Sequence, residues 1–291
     1  MTEYEKGSMG FLLYKRIYKN GIPTKPVLIE SDAPIFSLMA SCVSLTIDLL
    51  RSEVGRIALA DQALAINQFY IDETNYGNIK EDPKRARNWV DQTLLPAIMD
   101  SFPPMFIDDG WIDDNQPAAT MTHSGPAAQH AYAKAISIHL NPNFISELEM
   151  ATTTEEKHTV RELMFAYMCI LAHEIGGHVL VAYLTERRDH TPDTMPTAGS
   201  NARVWWPNPE SGKAFEERLF GIPVWMSPKL SRLGMRCPGI ILTFAHQIHG
   251  HEIEGGTRDF LRRPTEKTIK KYLERGENPP WRPGCCLDIA S

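Results

Sequence analysis

The sequence predicts an α+β fold that is mostly α-helical, with one long central helix and a small sheet beside it. Apolar residues recur at three- and four-residue spacing from Ile35 to Phe69, which is typical of helices that face a core. An apolar run from Leu163 to Leu184 indicates a buried helix, and clean alternation over residues 135–140 indicates a strand. We expect a single domain, 1–291, in which residues 1–100 form a helical scaffold and residues 130–255 carry the functional region.

The composition indicates a soluble globular protein. With 291 residues and 43% hydrophobic content, the chain can bury a substantial core. Its net charge of -6 argues against nucleic acid and against an anionic membrane as the main partner. We therefore expect no nucleic-acid partner and no membrane partner, and a small-molecule or peptide substrate. The sequence gives no indication of oligomeric state.

The cysteines and the N-terminus favour a cytoplasmic location. The five cysteines are odd in number and irregularly spaced, and no CxxC pair is present. This usage is typical of a reducing compartment. Acidic residues stand within the first six positions, where a secretory signal would carry bases.

The first hundred residues predict extended structure followed by helices. Residues 10–30 alternate around Asn20-Gly21, which predicts an extended arm or a short hairpin. Helical periodicity then runs from Pro34 to about residue 70, with a break predicted near residues 52–55. Asp82 and Pro83 predict a helix start, with the carboxylate as N-cap and proline at the first helical position. That helix is expected to end or kink near Pro96.

The middle of the chain predicts a loop, a strand and the start of the central helix. Residues 102–116 contain two prolines and four aspartates, but lack the glycine and distal glutamate of a calcium loop. They are therefore interpreted as a solvated acidic loop. The strand at residues 135–140 is expected to stop at Asn141. Thr153 and Glu156 form a possible capping box, which would open the helix that runs to Leu184.

Two histidines and a glutamate interrupt the apolar run of the central helix. His173, Glu174 and His178 would be costly to bury unless a ligand binds them. Their order is close to the zinc-hydrolase pattern His-Glu-x-x-His, but the second histidine comes one residue later. On a regular helix, residues five apart diverge by about 140°. A π-bulge at Gly176-Gly177 would absorb the extra residue and bring both rings to one side.

The stretch His173–His178 resembles the His-Glu-x-x-Gly-His motif of the dipeptidyl peptidase III family. It is also similar to the motif of fungal zincin-like proteins of mostly unassigned activity. The resemblance implies a zincin-like fold in which Zn²⁺ is held by both histidines. In the peptidase family a Glu-Glu pair on a later helix supplies the third ligand, and Glu216-Glu217 is the matching pair here. In such enzymes an edge strand that precedes the metal-binding helix in the chain lines the cleft. The strand predicted at residues 135–140 likewise precedes the predicted metal-binding helix.

Helical geometry selects Glu216 from this pair as the third ligand. After Ser211 as N-cap, Phe215, Leu219 and Phe220 define an apolar arc centred near Glu216, whereas Glu217 points outside it. An inward carboxylate needs a cation or strong donors. The alternatives are a salt bridge from Glu216 to Arg218, or ligation by Glu217, since the second glutamate takes the metal in the peptidase family.

These residues predict a zinc-dependent hydrolase that acts on a peptide or amide bond. His173, His178 and Glu216 would hold Zn²⁺, which activates a water, and Glu174 would be the general base. One alternative is a metal-dependent lyase, isomerase or cyclase acting on a small metabolite. A second alternative is a non-catalytic protein that is stabilised by its metal.

Two further features have open interpretations. His246 and His249 lie three residues apart and suit a second metal or transition-state hydrogen bonds, although ordinary structural histidines are favoured. Trp205-Trp206 lies in an aperiodic stretch, where the pair would cover the site or anchor the loop.

Overall fold

The computed structural model describes the parts of the chain that build the helical core and its sheets. These are residues 11–20, 22–69, 79, 82–108, 118–122, 136–154, 157–185, 211–220, 224–226, 240–243 and 261–262. Within them the fold is mostly helical with a small mixed sheet, so the predicted α+β class is confirmed at that level.

The N-terminal segment forms short paired strands, as predicted. Strand β1 (Leu13–Arg16) pairs antiparallel with β4 (Val27–Leu28). Between them β2 (Tyr18–Lys19) and β3 (Ile22–Pro23) form a small hairpin. Asn20 has a φ of 55°, the left-handed conformation that asparagine tolerates in tight turns.

The helical scaffold follows the predicted boundaries closely. Helices α1 (Pro34–Arg51) and α2 (Glu53–Phe69) are separated at Ser52, inside the predicted break. Helix α3 (Pro83–Trp89) starts as expected, since the Asp82 carboxylate accepts a hydrogen bond from the Lys84 amide at 2.9 Å.

The helix is expected from the sequence to end or kink near Pro96, but it changes to a π-helical turn before the proline and does not end there. A π-helical segment (Val90–Leu94) joins α3 to α4 (Leu95–Asp100), so the chain continues as a helix past the proline. Proline has no amide hydrogen for the regular hydrogen-bond ladder, and this accounts for an irregular turn just before it.

The main sheet contains two strands, β5 (Met105–Asp108) and β6 (Ala118–Thr122), that the sequence did not predict. Its strand order is β4-β1-β5-β7-β6, in which β5 is central and parallel to both β1 and β7 (Ile136–Leu140). Strand β6 pairs antiparallel with β7 at one edge. The loop prediction for residues 102–116 is therefore wrong at β5. A short central strand is buried on both faces and shows no alternation, so periodicity could not reveal it.

The segment after β7 is also more helical than expected. Asn141 caps helix α5 (Pro142–Thr153), since its side chain accepts a hydrogen bond from the Asn143 amide. The predicted capping role of Thr153 is wrong, because Thr153 lies in the last turn of α5. Its hydroxyl donates to the Glu149 carbonyl at 2.8 Å.

The central helix runs without a gap from residue 157 to residue 185, but it changes from α-helical to π-helical hydrogen bonding at the histidine motif. Helix α6 (Lys157–His173) passes into a second π-helical segment, Glu174–Val179, which we call the π segment, and then into α7 (Leu180–Thr185). Helix α8 (Ser211–Phe220) packs against both the π segment and α2. A separate sheet is formed by β8 (Val224–Met226), β9 (Ile240–Thr243) and β10 (Leu261–Arg262).

Among the residues that the structure describes, two helical stretches are long and apolar enough to cross a membrane by length and composition alone. They are Pro34–Arg51 and Leu163–Leu184. Of the window in Leu163–Leu184, 83% is buried inside the protein, which is typical of the core helix of a globular fold.

Candidate metal centre

The π segment brings the two motif histidines to the same side of the helix. The ring centroids of His173 and His178 are 5.6 Å apart, and the ring planes meet at 50°. On a regular helix, side chains five residues apart would diverge, so the extra residue is absorbed by the wider turn. The π-bulge predicted from the glycine pair is confirmed.

His173, Glu174 and His178 converge on one point. One potential ligand atom from each lies within 4.8 Å of those of the other two. In the described part of the chain this is the one cluster of three or more His, Cys, Asp or Glu residues close enough to hold a metal ion. Imidazole nitrogens and carboxylate oxygens are common zinc ligands, so the donor set fits the predicted ion.

The surroundings of this cluster combine burial with access to solvent. Glu174 is 3% exposed and is flanked by the fully buried Ile175. The His173 side chain is 19% exposed, so the cluster opens to the surface at the histidines. A site of this kind can admit a substrate while it keeps the carboxylate in apolar surroundings.

Glu216 faces inward, as its place on the helix predicts, and it contacts a motif histidine. Its Oε1 lies 2.8 Å from Nδ1 of His173, and the residue is 3% exposed. A carboxylate in this position accepts the Nδ1 hydrogen and fixes the ring so that Nε2 would face a metal. Glu216 does not belong to the cluster of three, so ligation by Glu216 stays a prediction.

Arg218, the alternative partner for Glu216, hydrogen-bonds within its own helix. Arg218 donates to the Ala214 carbonyl at 2.8 Å. Burial lowers the pKa of Arg218, while the charges of Asp61 and Glu217 oppose that effect. Glu217 is only half-buried, in agreement with its predicted outward direction.

The first turn of α8 lies directly on the histidine rings. Ser211 Oγ is 3.4 Å from Nδ1 of His178. A Cβ added to Gly212 would lie 2.2 Å from Nε2 of His173 and 2.4 Å from the two ring carbons bonded to it. These nearly equal distances place the Gly212 backbone over the face of the ring. Ser211 is itself held by α2, since Gln62 Nε2 donates to its carbonyl at 2.9 Å.

The two glycines of the motif have a second role that the sequence did not reveal. A Cβ on Gly176 would meet the Phe215 ring at 2.3 Å, and a Cβ on Gly177 would meet Gly212 Cα at 2.4 Å. Only glycine permits so close an approach of α8. The pair therefore allows both the wide turn and the docking of the helix that carries Glu216.

A threonine from the sheet completes the contacts of Glu174. Thr120 Oγ1, on the edge strand β6, donates to Glu174 Oε2 at 2.5 Å. No local pattern in the sequence distinguishes this threonine, because the contact joins residues that are 54 positions apart.

A second polar network lies on β5 and β7. His139 Nδ1 is 2.8 Å from Asp108 Oδ2, and His139 Nε2 is 3.0 Å from Ser137 Oγ. The order resembles a serine–histidine–aspartate triad, but Ser137 and His139 are fully buried, so no substrate reaches the serine. The network is structural. Asp108 is 1% exposed, and its interpretation as part of a solvated acidic loop is therefore wrong.

The remaining candidates lie outside the described residues; they are Trp205, Trp206, His246 and His249. In comparisons with known proteins, no family model matches the chain, and no curated protein or solved structure matches it.

Proposed function

We propose that this protein is a zinc-dependent hydrolase that cleaves a peptide or amide bond. The observation that carries the proposal is the convergence of His173, Glu174 and His178 through the π segment, at a partly open position in an apolar core. Structural zinc sites are usually closed by four protein ligands, whereas a site that works on substrates keeps a position open.

Each residue of the site has a role that follows from its contacts. His173 and His178 would hold the ion. Glu216 belongs to the site either as the third ligand or as the acceptor that orients His173 through Nδ1. A bound zinc ion would supply Lewis-acid chemistry and would activate a water molecule. Glu174 would accept a proton from that water and deliver it to the leaving nitrogen.

The position of β6 supports an extended peptide as substrate. Among the described strands, β6 forms one edge of the five-stranded sheet, and its Thr120 reaches Glu174. An edge strand offers backbone donors and acceptors with which an extended chain can pair. A peptide aligned along β6 would therefore pass close to the carboxylate that has to act on it.

The metal is tested first, by elemental analysis of protein purified without added metal. We expect about one zinc per chain, and a rise in melting temperature when zinc is added to chelator-treated protein. His173→Ala should lose most of the metal, whereas the exposed Glu149→Gln on α5 should retain it. A folded wild type without metal, and with no thermal response to zinc, would falsify the proposal.

The reaction is tested with a panel of peptides and small amides. Glu174→Gln should keep its metal, while the hydrolysis rate falls by about 10²–10⁴-fold, as when a positioned acid–base group is lost. If the wild-type protein binds zinc but cleaves none of the peptides or amides, the proposed hydrolysis is wrong. That result would favour lyase or isomerase chemistry at the same site.

A further inference from the structure

We infer that Thr120 is a positioning residue that keeps Glu174 available as a base and prevents it from becoming a metal ligand. The inference rests on the proposed metal site and adds a residue to it. Its basis is the 2.5 Å hydrogen bond from Thr120 Oγ1 to Glu174 Oε2.

The glutamate needs such a restraint because it lies within reach of the same ion as the histidines. Its ligand atom falls within 4.8 Å of those of His173 and His178, and carboxylates bind zinc readily. A carboxylate that ligates the ion occupies the position that the reacting water needs. The partner that holds the Glu174 oxygens therefore decides which of the two roles the residue takes.

The hydrogen bond from Thr120 is well suited to this purpose. A length of 2.5 Å is typical of a hydroxyl that donates to an ionised carboxylate, a contact about twice as strong as a neutral hydrogen bond. It engages Oε2 and so restrains the orientation of the whole carboxylate group. Glu174 is 3% exposed, so bulk water competes little for the hydroxyl.

The donor is fixed in space by the sheet. Thr120 is paired with Ile138 across the β6–β7 ladder, so its side chain lies on the same face of the sheet as that buried isoleucine. Threonine is branched at Cβ and has few rotamers, so its hydroxyl keeps its direction. The sheet thus holds one end of the hydrogen bond, and the π segment holds the other.

The test uses cobalt(II)-loaded protein, because the visible absorption spectrum of cobalt(II) depends on the number and type of its ligands. Azide is added as a probe for an open coordination position. In the wild type we expect azide to change the spectrum. In Thr120→Val the freed carboxylate should take the open position, so the spectrum should change before azide is added. The affinity for azide should also fall, because azide would then have to displace the carboxylate from the open position.

Thr120→Ser supplies the matched control, since it keeps the hydroxyl and removes only a methyl group. It should restore both the wild-type spectrum and the azide response. In the Glu174→Gln background, Thr120→Val should have no further effect on azide affinity. Should Thr120→Val fail to fold, Thr120→Ala, which removes the hydroxyl and the methyl group without placing a new apolar group at the hydroxyl position, is measured in its place.

The possible failures are distinguishable. A wild type that binds neither zinc nor cobalt overturns the proposed function, and this inference with it. A wild type that binds cobalt and azide while Thr120→Val gives the same spectrum and the same azide affinity overturns this inference alone, and the metal centre stands.

Discussion

Gly177 and Gly212 meet backbone to backbone, with no room for a side chain between the π segment and α8. A Cβ on Gly177 would lie 2.4 Å from Gly212 Cα and 2.5 Å from its nitrogen. Because both neighbouring atoms belong to the main chain, neither can rotate away. The contact fixes the distance between the helix that carries the histidines and the helix that carries Glu216.

We predict that Gly177→Ala destabilises the protein by about 1–3 kcal/mol, the usual cost of overpacking a core. The sign is diagnostic, since alanine in place of glycine inside an unconstrained helix stabilises it by about 1 kcal/mol. Urea unfolding monitored by circular dichroism measures the difference. Gly176→Ala should act in the same direction, because its Cβ would meet the Phe215 ring at 2.3 Å. An unchanged or higher stability in Gly177→Ala would contradict the described packing.

Deletion of Gly177 should destabilise or unfold the protein, although it restores the spacing of His-Glu-x-x-His. Everything after the deletion would rotate by about 100° and shift by about 1.5 Å along the helix. Val179, Leu180 and Leu184 are fully buried and would leave their packing partners. Each misplaced side chain costs about 1–3 kcal/mol against a total stability of about 5–15 kcal/mol. A thermal melt checks this, and a melting temperature equal to that of the wild type would refute it.

Glu216→Gln should weaken zinc binding by about 10- to 100-fold, the loss expected when a carboxylate that orients a ligand histidine is replaced. The expectation follows from the 2.8 Å contact between Oε1 and Nδ1 of His173. Competition with a chromophoric chelator measures the affinity. Complete loss of zinc would instead assign Glu216 as the third ligand. Glu217→Gln is the matched control, and zinc loss in that variant would move the ligand to Glu217.

Asp108→Asn should cost about 1–3 kcal/mol, the penalty when a buried polar group loses a hydrogen-bond partner. Both side chains of the Asp108–His139 pair are fully buried, and Arg16 lies 3.6 Å from the carboxylate. Asp82→Asn is a suitable control, because Asp82 is exposed and asparagine caps a helix as well as aspartate does. Comparable stability of the two variants in urea would show that the buried network contributes little.

Stability should fall as the pH rises above 9, because the core encloses neutral thiols. Burial raises the pKa of Cys42 from 9.0 to about 12. Burial also raises the pKa of Cys169. Between pH 9 and 12 the unfolded chain releases the Cys42 proton that the folded chain retains, so each pH unit costs about 1.4 kcal/mol for this thiol. Urea titrations at pH 8 and pH 10 measure the slope. Cys42→Val should make it shallower, and equal slopes would contradict the assignment.

Features with a local cause were predictable from the sequence. The Asp82 cap, the break at Ser52 and the inward direction of Glu216 each depend on residues within one or two helical turns. The π segment was predictable because the histidine spacing is incompatible with a regular helix and glycines stand in the gap. In each case a nearby side chain or a helical angle determines the structure.

Features that depend on distant partners could not be predicted in the same way. Strand β5 has no alternation because all four of its residues are buried, so both of its faces are covered. Thr120 and Gln62 stand in unremarkable stretches, and their roles exist only after β6 and α2 pack against the motif helix and α8. Asp108 was assigned to solvent because its neighbours in sequence are acidic, whereas its partner His139 comes from another strand.

The hydrogen bond from Gln62 to the Ser211 carbonyl joins positions that are 149 residues apart in the chain. Ser211 lies beside His178, so the contact of α8 with the histidine cluster depends on the packing of α8 against the N-terminal helix α2. Contacts between such distant positions form late, because the intervening loop has to close first. We therefore expect metal uptake during refolding to follow the packing of α2 against α8. A fragment that begins after α2 should bind the metal more weakly than the full chain.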